Sequence, residues 1–259
     1  MNIISQAFLF TNKNLTQVCL LASFSILMTL FVVQGNISSN ILILGSLATI
    51  AFFAGFFNLI KNEINGEKGT LKFMEGVGEY FMPMSGIFFI SMFLYLSSLL
   101  AVFALLVNRF GASATEAAMI EFNKVLTAST VTTLSETNLQ ILFAYSFATM
   151  LLMSIISFIL LYWVPVLYFT GERNIFKSLI TSLKFMLRKF GWTLILFIAL
   201  TILVFALAIL SEFAKSIIIL SVIADLLIYY FMVMFLYIVF LTYKNSLNTT
   251  EQGETLKNE

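Results

Sequence analysis

Ionisable side chains are scarce in this chain, so the few that interrupt its apolar runs are where chemistry could be done. Asp225 is the single ionisable residue well inside a long apolar run, the one from Ile217 to Tyr243. Eight residues of helix carry it ~12 Å from the start of that run, toward the middle of a ~30 Å hydrocarbon layer. A carboxyl there is costly and by default marks a functional site. It either stays protonated and bonded to a hydroxyl of another span, with Ser154, Ser157, Asn58 and Ser97 as candidate partners, or carries a proton or cation.

The second group is basic. Five of the fourteen Lys and Arg, namely Arg173, Lys177, Lys184, Arg188 and Lys189, fall between two long apolar runs. The remaining inventory excludes much. There is no His, which removes the commonest metal ligand and general base. The single Cys19 permits no intramolecular disulfide. The stretch "GEKGT" lacks the G-x-x-x-x-G-K-[ST] spacing and the preceding strand of a phosphate loop. No pair of carboxylates and no nucleophile with a base is visible, so no enzyme, metal site or cofactor is expected. Nor is a nucleic-acid partner, because the basic residues are explained by a membrane surface.

The elements that must hold these residues are membrane helices. With 60% hydrophobic and 10% charged residues, the chain lies far from the ~25% charged composition of soluble domains. Six uncharged runs are long enough to span: about 15–33, 41–60, 84–107, 139–169, 192–210 and 217–243. They lack the alternation of a barrel strand, and only helices or closed barrels satisfy their backbone in lipid. The expected fold is therefore all-α, a polytopic protein with six transmembrane helices plus interfacial amphipathic helices. One membrane domain covers 1–243, and the polar stretch 244–259 reads as a disordered cytoplasmic tail. With the N-terminus inside, eleven Lys and Arg fall on the inner segments and three, Arg109, Lys124 and Lys215, on the outer ones. The positive-inside rule then places both termini in the cytoplasm. No small-x-small site follows the first span, which is expected to remain as a helix.

Between the spans, Ile3, Ile4, Ala7, Phe8 and Phe10 favour one side of a short interfacial helix ahead of an elbow at Lys13. The first outer loop, "QGNISSN", implies a tight hairpin. "LKFMEGVGEYFMP" reads as weakly helical because of Gly76 and Gly78. In the outer segment Ser113 to Glu116 reads as a capping box opening a helix toward Leu126, with Ala118, Phe122, Val125 and Leu126 on one face. Span four is long, and Pro165 is expected to kink or end it, with Tyr162, Trp163 and Tyr168 as interfacial anchors. Gly45, Ala48, Ala51 and Gly55 form a small-residue packing face. A shift of 105 residues lays Gly66-Glu67-Lys68 on Gly171-Glu172-Arg173 and Lys72 on Lys177, a candidate internal repeat.

At ~100° per residue, Arg173, Lys177, Lys184 and Arg188 form one helical stripe. Phe176, Leu179, Leu183, Met186, Leu187 and Phe190 occupy the opposite arc, and Phe185 is the large residue out of place. The helix is thus expected flat at the cytoplasmic interface, its basic stripe enforcing topology, docking a protein partner or recognising a lipid headgroup. The succession of Pro165, Gly171, the amphipathic helix with "SLITS" and Trp192 resembles the multi-pass membrane domain attached to some glycerophosphodiester phosphodiesterases and its stand-alone relatives. Ser178 departs from the small Ala usual there, and no phosphodiesterase domain is present. The resemblance implies a six-helix membrane module without hydrolase chemistry.

The expected protein is thus an integral module of the bacterial cytoplasmic (inner) membrane, non-catalytic, in contact with membrane lipids and assisting lipid or envelope processes. The alternative is the membrane subunit of a transporter, for instance an ABC-type permease. Its inner-loop helices would then couple to a separate ATPase.

Overall fold

A polar residue between two apolar segments sets the first feature of the fold. Asn14 separates α1 (Ile3–Lys13) from α2 (Leu15–Val33), and the two helices bend by 73° across it. Asn14 Nδ2 donates to Phe10 O at 2.9 Å, and its backbone N–H reaches Phe10 O and Thr11 O, which satisfies the end of α1. The expected elbow is therefore present. The computed structural model describes residues 2–33, 39–67, 69, 71–127, 136–214 and 218–255. The tip of the first outer loop, Lys68, Lys124's side chain, Lys215 and Lys257 lie outside what is described.

The described residues form α-helices only. After the elbow come α3 (Ser39–Ile64), α4 (Leu71–Phe110), α5 (Ala112–Thr127), α6 (Glu136–Leu160), α7 (Trp163–Thr170), α8 (Ile175–Arg188), α9 (Phe190–Ala214) and α10 (Ile218–Thr255). Among the described residues five helical stretches are long and apolar enough to cross a membrane, and the bent α1–α2 pair makes up to six. An all-α polytopic membrane fold is the result.

Helix bounds differ from the apolar runs because backbone hydrogen bonding does not stop at the first charged side chain. Helix α4 starts at Leu71, so "LKFMEGVGEYFMP" is helical and continuous with the third span through Pro83. Helix α10 continues to Thr255, so most of the segment expected to be a disordered tail is helical. Lys244 Nζ donates to Ile64 O at 2.9 Å and Arg188 to Ser246 Oγ at 2.8 Å, fastening the first turn of that extension. Span four breaks as Pro165 requires: α6 ends at Leu160, Leu161 and Tyr162 turn, and α7 restarts with Pro165 in its first turn, where a missing N–H leaves no hydrogen bond unmade.

Contacts divide the chain into two units, one of Met1–Ile87 with Leu160–Glu259 and one of Phe88–Ile159. In the second, Val102, Leu106, Ala118, Ile141 and Leu142 form the core, and Tyr95 Oη and Ser157 Oγ are hydrogen-bonded at 3.0 Å. Ser113 is not a cap here. Gly111, at φ +88°, leaves α4 and α5 begins at once at Ala112, with the Thr115 hydroxyl bonded back to Gly111 O at 2.9 Å. Ala118 is fully buried, while Phe122, Val125 and Leu126 lie outside the described side chains.

In the first unit α10 packs against α1, α2, α3, α7 and α9. Aromatic rings fill the space: Phe24 on Phe52 at 3.8 Å, Phe57 on Phe240 at 5.9 Å, Tyr80 on Tyr168 at 4.0 Å. Tyr162, Trp163 and Tyr168 are all 0% exposed. They are core residues, not the interfacial anchors expected of them; their polar tips are bonded inside the protein. Tyr168 Oη donates to Ala54 O at 2.8 Å. Of the proposed small face of α3, Gly55 meets the Phe73 ring and Gly45 meets Met28, whereas Ala48 is exposed.

The candidate repeat has a local counterpart. Gly66 and Gly171 both take the left-handed conformation, φ +81° and +64°. Lys72 pairs with Glu67 at 3.2 Å, and Lys177 pairs with Glu172. The preceding helix bonds the start of the following one in both cases: Asn58 Nδ2 to Lys72 O at 2.7 Å, and Trp163 Nε1 to Ile175 O at 3.2 Å.

Candidate functional site

The five clustered cations depend on how α8 is set against α7. Gly171 ends α7 at positive φ, which permits a tight reversal in four residues. Asn174 then caps α8, its Oδ1 accepting from Lys177 N at 3.1 Å. Glu172 accepts from Asn174 N at 3.2 Å and pairs with Lys177. The Lys177 ammonium, with the Asn174 N–H, holds the Glu172 carboxyl below the usual carboxylate range.

On its inner side α8 is pinned by Trp163, whose Nε1 donates to Ser178 Oγ at 2.9 Å. Ser178 and Ser182 are fully buried, and Phe185 and Met186 nearly so. Phe185 meets Tyr162 edge-on at 4.7 Å and Tyr243 at 5.0 Å. The helix therefore has three faces where two were expected. Ser178, Ser182, Phe185 and Met186 point to the core. Phe176, Ile180 and Leu187 face outward, 67%, 52% and 66% exposed. Lys177, Lys184 and Arg188 form the third face. Phe185, out of place on a two-faced helix, belongs to the core face, and Met186 moves there from the outer apolar arc. Small hydroxyl residues gave this face no hydrophobic signal in the sequence.

The five cations do not act as one patch. Arg173 is exposed in the turn before α8. Lys177 is neutralised by Glu172, a partner that the spacing of the cations alone did not reveal. Lys184 and Arg188 line a cleft of about 270 Å³ with Thr181, Tyr243 and Ser246. Lys189 lies past the end of α8 and lines a separate cleft with Trp192 and Thr242.

Asp225 is not among these groups. It is exposed, the eighth residue of α10 (Ile218–Thr255), and its Oδ1 accepts from Ser211 Oγ of α9 at 3.3 Å. None of the four anticipated partners is the one used; Ser157 bonds Tyr95 and Asn58 bonds Lys72 O.

No family model, no curated protein and no solved structure matches this chain. The reading of its function rests on its own residues.

Proposed function

We propose that the protein is an integral module of the bacterial cytoplasmic membrane, both termini cytoplasmic, without catalytic chemistry of its own, that assists lipid or envelope processes by seating α8 on an anionic leaflet. The observation that carries this reading is the adjacency of two faces of one rigidly held helix. Phe176, Ile180 and Leu187 are exposed beside the cationic face of Lys184 and Arg188. Such a helix suits the boundary between acyl chains and headgroups. Each cation near an anionic surface adds about 1 kcal/mol, and Arg173, Lys184, Arg188 and Lys189 are outside the Glu172 pair.

The module would share the six-helix plan implied by the resemblance around Pro165 to Leu210. The permease alternative makes α8 a coupling helix whose cations meet an ATPase. Purification with native lipids separates the two. The lipid reading expects enrichment of anionic over neutral lipid, lost when Lys184 and Arg188 are both changed to Gln; an ATPase that co-purifies and is released by the same change would replace it.

A further inference from the structure

We propose that the cleft between α1, the end of α3 and residues 241–248 of α10 is a defined site for one anionic phospholipid, its phosphodiester held between Lys13 and Lys244. The cleft measures about 370 Å³ and is lined by Gln6, Lys13, Ile64, Lys244 and Asn248, among others. That is within the ~300–1,000 Å³ of small-molecule sites and suits a glycerophosphate-sized group.

Two cations line this space, and no acidic side chain lines it among the described residues. Lys244 donates one proton to Ile64 O, the last carbonyl of α3, which leaves two of its three ammonium protons for a ligand. Lys13 has no ion-pair or hydrogen-bond partner among the described residues. Two like charges sharing one cleft repel and raise the local potential, so an anion is the complementary occupant. The carboxamides of Gln6 and Asn248 can both donate to phosphate oxygens and accept from headgroup hydroxyls.

The surroundings select a lipid over a free anion. Leu9, Phe10 and Leu241 line the cleft beside the two lysines, and Leu9 is 42% exposed. An acyl-bearing ligand can cover this apolar rim, and inorganic phosphate cannot. The site uses α1 and α10, not α8. It depends on the membrane placement proposed above only in requiring that α1 lie at a lipid interface.

The test is native mass spectrometry of the full chain, delipidated in detergent and titrated with dioleoyl phosphatidylglycerol, dioleoyl phosphatidylcholine or glycerol 3-phosphate. One phosphatidylglycerol should be retained more tightly than the rest. Lys13→Gln should weaken it at least ten-fold at unchanged thermal stability, because the Lys13 side chain bonds nothing among the described residues, and Lys13→Arg should retain it. Lys184→Gln with Arg188→Gln should leave this adduct intact while thinning the looser ones, so the two sites fail separately. The proposal is overturned by an unchanged tight adduct in Lys13→Gln, by equal retention of phosphatidylcholine, or by glycerol 3-phosphate competing as well as the lipid.

Discussion

Trp163 donates its indole N–H to Ser178 Oγ at 2.9 Å, while Ser182, one turn further along α8, is fully buried with a hydroxyl that has no hydrogen-bond partner among the described residues. Two serines on one face thus do different things. Ser178 fastens α8 to α7, and Ser182 contributes only its small size.

Opposite effects of the same substitution are therefore expected. Ser178→Ala removes the bond to Trp163 and should cost about 0.6–1.7 kcal/mol, the range of interhelical side-chain bonds in membranes. Ser182→Ala removes a buried unsatisfied hydroxyl and should be neutral or stabilising by up to about 1 kcal/mol. Ser182→Leu should destabilise strongly by overpacking against the core. Thermal unfolding of the three variants in detergent checks the set.

Much of the fold could be read from the residues, and the reasons for the rest are specific. The spans were legible because a hydrocarbon core needs ~20 apolar residues. Their ends were not, since Lys72 and Lys244 interrupt hydropathy without interrupting helical hydrogen bonds. Tyr162, Trp163 and Tyr168 misled because the same amphipathic side chains serve membrane interfaces and satisfied protein cores alike. On α8 the cationic stripe followed from helical spacing, but the core face was hidden in Ser178 and Ser182, and only Phe185 hinted at it. The cleft of Lys13 and Lys244 joins residues at opposite ends of the sequence, which no local pattern could bring together.

Gly76 of α4 lies against Asn58 and Ala54 of α3. A Cβ there would collide with the Asn58 side chain and stand 2.9 Å from Ala54 O. Because Ala54 O also accepts from Tyr168, the helix cannot retreat without disturbing the aromatic core. Gly76→Ala should cost about 1–3 kcal/mol, whereas Gly78→Ala, where a Cβ meets nothing within 4 Å, should be tolerated. A thermal shift for Gly76→Ala no larger than that for Gly78→Ala would contradict this packing.

The Glu172–Lys177 pair gives the α7–α8 turn a pH dependence. The folded carboxyl titrates below its ordinary value of 4.5, so the pair's contribution is fully present above that value. It is lost as pH falls through the lowered folded value. Hydrogen exchange at Asn174 should stay constant from neutral pH to about 5 after correction for intrinsic rates, then accelerate below 4. Glu172→Gln should exchange faster at neutral pH, and the difference from the unmodified protein should vanish in acid, where Glu172 is itself neutral.

Asp225 accepts from Ser211 Oγ of α9, a geometry that Asn can reproduce. Asp225→Asn should change stability by less than about 1 kcal/mol and leave proton flux in proteoliposomes at the unmodified level. A pH-dependent flux abolished by this change would instead make Asp225 a transport residue.

Spin labels on α8 in anionic vesicles report directly where the helix sits. Labels at Phe176, Ile180 and Leu187 should collide with dissolved oxygen more than with a water-soluble nickel chelate. Labels at Arg173 and Lys184 should show the reverse, and the contrast should shrink in neutral vesicles. Uniform nickel accessibility around all five positions would contradict the account, because it would place the helix in water rather than at the headgroup boundary.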